Sequence, residues 1–117
     1  MGQVMVWARG GLDDERAALA VRLALALTLA DHEVSLCLAG AAAALAAVPT
    51  PDLHPWAGPV AAELAACIDE AGVTVLVEAE SLAGLGLVGV PLRAGIAPMG
   101  RAALLAAGAA AGRWLVV

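Results

Sequence analysis

The sequence predicts an α/β fold, a three-layer α/β/α sandwich on a mainly parallel five-stranded sheet. Three observations carry this expectation. Short apolar runs alternate with longer alanine- and leucine-rich segments of helical length. The runs are nearly continuous in apolar character, as strands covered on both faces are. Glycine, proline or an Asp-His-Glu cluster marks most junctions. The resulting order, β-α-β-α-α-β-α-β-α-β, is the alternation that lets helices carry the crossovers of a parallel sheet.

Taken in order, residues Gln3 to Ala8 hold Val4, Val6 and Trp7 ahead of Gly10-Gly11 and read as a buried strand. Asp13-Asp14-Glu15 then supplies an N-cap and first-turn acids where the helix dipole favours them, opening a helix to about Ala30. Its leucines fall on more than one face, Leu19, Leu23 and Leu27 on one and Leu25 and Leu29 on another, so burial on two sides is expected. Asp31-His32-Glu33 turns into a second strand, Val34 to Ala39, and Gly40 opens a short alanine-rich helix ending near Val48.

Four of the six prolines lie in the irregular stretch 49–59, and Pro59 suits the first turn of a third helix reaching Ala71, with Glu63 and Glu70 on an exposed face. Gly72 stops that helix, and Val73 to Val77 form the third strand. Residues 78–87 read as a short helix stopped by Gly84 and Gly86, followed by a brief fourth strand at Val88 to Pro91. A last helix starts at Pro98 or Gly100 and runs to about Ala110, and the segment from Arg113 to Val117 closes the sheet.

The 117 residues and 11.5 kDa fit a single domain over 1–117. Hydrophobic residues make up 62%, and mean hydropathy is +0.90, yet 31 alanines inflate both. Without alanine only 42 residues are apolar, an ordinary globular share, while just 25 side chains are polar. A folded monomer of this mass exposes about 5,800 Å². So few polar side chains cover that thinly, so contacts between subunits are expected, in a dimer, trimer or hexamer of this chain or with paralogous partners. The longest apolar stretch, Ala17 to Ala30, is broken by Arg22 and falls short of the ~20 residues a bilayer span needs, so no membrane partner is expected. The opening residues are strand-like rather than leader-like, which makes a cytoplasmic location the expectation. A formal charge of −5 with six scattered arginines disfavours nucleic acid. Cys37 and Cys67 sit in apolar segments without CxxC spacing, giving neither a disulfide framework nor a metal site, and neither GxGxxG nor a P-loop points to a cofactor.

Ligand sites of parallel sheets lie beyond the carboxyl ends of the strands. Three segments meet that description. Arg9-Gly10-Gly11-Leu12-Asp13 is either a structural turn or an anion cradle of free N–H groups, with the acids at 13–15 opposing the latter. At Glu78-Ala79-Glu80-Ser81, Glu78 is a carboxylate at a strand end, suited to hold a ligand or act as general base. Ser81 beside it reads either as the partner of Glu78 or as a helix cap, with Glu80 in solvent, and no triad partner supports Ser81 as a nucleophile. The proline-rich loop carries His54 and Trp56, either a substrate lid or ordinary loop residues. His32 reads as a helix-end residue. Whether Arg93, Arg101 and Arg113 gather is a matter for the fold.

The order of small motifs resembles the DsrE/DsrF-like sulfur-relay family. The matching pieces are the opening strand and glycine loop, Asp14-Glu15-Arg16-Ala17-Ala18-Leu19 leading into the first helix, His32-Glu33-Val34-Ser35-Leu36-Cys37-Leu38-Ala39-Gly40, Ala71-Gly72-Val73, Ser81-Leu82 with Gly86-Leu87, and Trp114-Leu115-Val116. The resemblance spans essentially the whole chain and implies a small α/β subunit of an oligomer. It also implies a sulfur-accepting cysteine at the end of strand three, eight residues before the glycine that ends the short helix. Counting back from Gly86, that position holds Glu78, which cannot carry sulfane sulfur. The resemblance therefore implies a structural or binding subunit without the relay thiol. The alternative is a small α/β enzyme or ligand-binding domain that uses Glu78, Ser81, Gly10 and Gly11 around the strand-end pocket.

Overall fold

Five strands, β1 (Gln3–Ala8), β2 (Glu33–Leu38), β3 (Thr74–Glu78), β4 (Ile96–Met99) and β5 (Arg113–Val116), form one sheet in the order β4-β3-β2-β1-β5. All four pairings are parallel, so the sheet is wholly rather than mainly parallel. The computed structural model describes residues 3–9, 16–48 and 57–117. Helices α1 (Arg16–Leu29), α2 (Ala57–Asp69), α3 (Ala79–Gly84) and α4 (Arg101–Ala110) and a 3-10 helix at Gly40–Ala46 complete the fold.

Side chains alternate across each strand, and the core divides accordingly. Val4, Val6 and Ala8 of β1 face a large cluster that includes Ala17, Val21 and Ala24 of α1, Leu45 of the 3-10 helix, Leu64 of α2 and Leu82 of α3. Met5 and Trp7 face the opposite way, into a smaller cluster with Cys37, Leu76 and the fully buried Leu104 of α4. One face thus carries most of the helices and the other is roofed by α4.

In α1 the small residues, not the leucines, form the side that meets the sheet. Ala17, Ala18, Ala20, Val21 and Ala24 are buried, whereas Leu19 is 57% and Leu29 76% exposed. Small residues inward let the helix axis approach the sheet, and the leucines are left to the flanks, where Leu23, Leu25 and Leu27 pack in part against the core. Arg22 of α1 reaches Glu63 of α2 at 2.9 Å, so Glu63 lies on the contact between helices rather than on a free face. Such exposed pairs are worth less than about 1 kcal/mol.

The fourth strand lies elsewhere than the sequence predicts. Val88 and Gly89 form a turn, with Gly89 at φ +82°, Val90 and Pro91 are irregular, and Leu92 pairs through an isolated antiparallel bridge to Ala47. The strand is Ile96-Ala97-Pro98-Met99, whose proline disguised it, since proline in a sheet is confined to edges and strand ends. Gly95 leads into it at φ +88°, and a Cβ there would meet Ile68 Cγ2 at 2.6 Å.

Candidate functional site

The strand order places a topological switch between β1 and β5. The chain leaves β1 through α1 on one face and arrives at β5 from α4 on the other, so the carboxyl ends of this pair diverge, as at the ligand crevices of open parallel sheets. A cavity of about 460 Å³ opens there. Trp7 and Arg9 line it from the end of β1, Ala39 and Gly40 from beyond β2, Glu78 and Ser81 from the β3–α3 junction, Arg101 and Leu105 from α4, and Trp114 and Val116 from β5.

Glu78 ends β3 and stands at the cap position of α3. Among the described residues it is the buried charge, 4% exposed. Its Oε1 accepts a hydrogen bond from Ser81 Oγ at 2.6 Å and another from Arg101 Nη2 at 2.9 Å. Ser81 Oγ in turn accepts the Gly40 N–H at 2.8 Å, tying the β2 and β3 ends together. The Arg101 hydrogen bond lowers the Glu78 pKa; burial opposes it, and the Ser81 hydrogen bond and the charges of Arg101 and Arg9 reinforce it. The net shift is downward. A carboxylate so stabilised is ionised at neutral pH and a poor general base.

Glu80 is exposed, as expected of a solvent residue, but its two carboxylate oxygens accept the backbone N–H of Arg101 at 2.9 and 3.0 Å, capping α4. The guanidinium of Arg101 is thereby aimed from the first turn of α4 toward Glu78. Ser81 does not cap α3; it is the third residue of that helix and its hydroxyl bridges Glu78 and Gly40. The Trp7 and Trp114 rings, which line the same cavity, lie 5.4 Å apart at 38°. Gly108 permits this, because a Cβ there would stand 3.0 Å from the Trp114 ring.

Both thiols are buried. Cys37 packs on the α4 side, and burial, aided by the charge of Glu78, pushes its pKa up to about 12. Burial, with Glu63 adding to it, also raises Cys67, whose Sγ lies 3.6 Å from the Val21 carbonyl oxygen and donates to it. Thiolate chemistry needs the opposite environment. Among the described residues no group of three His, Cys, Asp or Glu side chains is placed to hold a metal, and no helix is long and apolar enough to cross a membrane.

Of the residues singled out in the sequence, Glu78 and Ser81 meet. Gly10, Gly11, His54 and Trp56 lie outside the described residues. His32 lines a second cavity of about 570 Å³ that also takes in Gln3, Glu33 and Thr74 at the amino ends of the strands, and its buried Nδ1 has no hydrogen-bond partner among the described residues. The three arginines do not gather: Arg93 donates to the Leu45 carbonyl at 3.0 Å, Arg101 serves Glu78, and Arg113 begins β5. Sequence reasoning named Arg9 in the glycine turn and Arg101 among the arginines without bringing either to Glu78, and it missed Trp7 and Trp114. Trp7 could have been found as a bulky residue at a strand's carboxyl end, whereas Arg101 and Trp114 are brought in by the crossover alone.

The model of the DsrE/DsrF-like family matches residues 3–117. The chain belongs to the DsrE/DsrF-like family. Among solved structures of this fold, the crystal structure of the ychN protein from E. coli is similar to it at a TM-score of 0.78, with 21% identity and 100% of each chain covered. At that identity the likeness is one of fold. None of the curated proteins matches the chain. Membership gives this DsrE/DsrF-like chain a family-level relation to sulfur-relay proteins, with Glu78 at the strand-three end of its cavity.

Proposed function

We propose that this chain is a DsrE/DsrF-like subunit that binds at its strand-end cavity instead of carrying sulfur. The observation that carries the reading is Glu78: a buried carboxylate, held ionised by Arg101 and Ser81, at the position where the family resemblance calls for the relay cysteine. Sulfur relay requires a thiolate to attack a sulfane sulfur and hold it as a persulfide. A carboxylate cannot, and the two thiols are buried with raised pKa values. The subunit works in the cytoplasm beside an active partner, in an assembly of its own copies or of paralogous subunits. Exposed Leu19, Leu29, Val88, Leu115 and Val116 support the assembly. The lowered pKa of Glu78 disfavours the alternative of a small enzyme with Glu78 as general base.

The test is incubation with a persulfide donor followed by intact mass. The native protein is expected to stay at its own mass, while Glu78→Cys gains one sulfur that a reductant removes. A reducible gain on native Cys37 or Cys67 overturns the reading.

A further inference from the structure

The ligand class can be read from what the cavity leaves unsatisfied, taking the cavity as the binding site proposed above. Both donors that reach Glu78 go to Oε1, and Oε2 receives none from the described residues. Oε2 is open to the cavity, where a ligand's donor can take the place of water. Because Arg101 already balances the charge of Glu78, that donor has no need to be a cation.

Arg9 supplies the second requirement. It lines the cavity, is exposed, and makes no hydrogen bond or ion pair through its guanidinium with the described residues, although its charge is felt at Glu78. Glu80 is engaged by the Arg101 backbone N–H and does not line the cavity. Of the two arginines on the wall, Arg101 is engaged with Glu78 and lies within the field of Glu80, which leaves Arg9 to receive one acid group. A carboxylate suits the planar guanidinium fork.

The third requirement is apolar. Trp7, Trp114, Leu105 and Val116 form one side of the cavity. With centroids 5.4 Å apart, the two indoles leave no room for a ring between them, so an apolar group lies along their edges and against Leu105 and Val116.

We infer that the cavity takes a small organic monoanion bearing a neutral hydrogen-bond donor next to its acid group and an apolar or aromatic substituent, of which a 2-hydroxy carboxylate is the simplest form. The hydroxyl donates to Glu78 Oε2, the acid group pairs with Arg9, and the substituent covers the indoles.

Calorimetric titration with mandelate tests this, set against phenylacetate, which lacks the hydroxyl, and mandelamide, which lacks the charge. Mandelate is expected to saturate one site per chain, and each analogue to bind at least about tenfold more weakly, the weight of one hydrogen bond to a charged group. Arg9→Gln, an exposed substitution whose fold is checked by circular dichroism, is expected to weaken mandelate by a similar factor and leave mandelamide unchanged. Absence of saturable mandelate binding, equal binding of either analogue, or an unaffected Arg9→Gln overturns the inference. If mandelate fails to bind while the persulfide mass test shows no sulfur gain, the ligand class is rejected and the subunit reading stands. If sulfur is gained while mandelate binds as described, the reverse holds.

Discussion

Glu78 and Arg101 meet at 2.9 Å across 23 residues of sequence, one buried at the end of β3 and the other 58% exposed at the start of α4. The contact joins the two faces of the fold, because the β3 end packs through α3 on the helix-rich side while α4 stands on the other.

The ion pair gives stability a defined pH dependence. The folded-state pKa of Glu78 lies below its ordinary value of 4.5, so the stabilisation is present above that value and is lost as pH falls through the folded pKa. In urea unfolding from pH 6 downward, the native protein is expected to exceed Glu78→Gln at pH 6 and to lose that advantage progressively once pH drops below about 4.5. A gap that stays constant across the window would exclude the pair as its source.

Glu80 predicts a helix-capping effect. Glu80→Ala removes both acceptors of the Arg101 N–H and is expected to cost about 1 kcal/mol, while Glu80→Gln keeps an acceptor and costs less. Thermal melts of the two variants check the order.

Cys37 and Cys67 are expected to be silent to a disulfide reagent at pH 8 in the folded protein, and both to titrate after unfolding, since burial removes access and raises both pKa values. Rapid modification of either one in the native state would contradict their packing.

Leu104 is the fully buried anchor of α4 in the smaller core cluster. Leu104→Ala is expected to cost about 2–5 kcal/mol, at roughly 4 °C or more of Tm per kcal/mol. Leu19→Ala, on the exposed outer side of α1, is expected to leave the monomer's stability within about 0.5 kcal/mol. Chemical denaturation of both variants makes the comparison.

At Gly95 two penalties share a sign. Gly95→Ala places a Cβ 2.6 Å from Ile68 Cγ2 at φ +88°, and a loss of about 1–3 kcal/mol is expected. A melting temperature equal to that of the native protein would show that the β4 lead-in adapts.

The local parts of the fold were legible because local chemistry decides them. β1 ends where the sequence expects, and α4 and β5 begin after Gly100 and Gly112. β4 was not, since edge pairing tolerates a proline that composition argues against. The leucine pattern left open which side of α1 meets the sheet, because alanine scores as a weak hydrophobe, whereas close approach to a sheet rewards its small size. In the site, Glu78 and Ser81 stand three residues apart and could be seen together; Arg9, Arg101 and the two tryptophans converge only once β5 is placed beside β1.

Pro98 also makes the two edges of the sheet unequal. An endless stack of subunits needs the outer strand of one copy to pair with the opposite outer strand of the next, β4 upon β5. Edge strands accept proline where its missing N–H faces solvent, so the outward row of donors on β4 is interrupted, while β5 offers Arg113 to Val116 without a break. Among the described strands, addition is therefore less favoured at β4 than at β5. A contact built from β5 alone pairs like with like about a two-fold axis and closes on itself, so the same proline that hid a strand from view also works against an open edge-to-edge stack of copies.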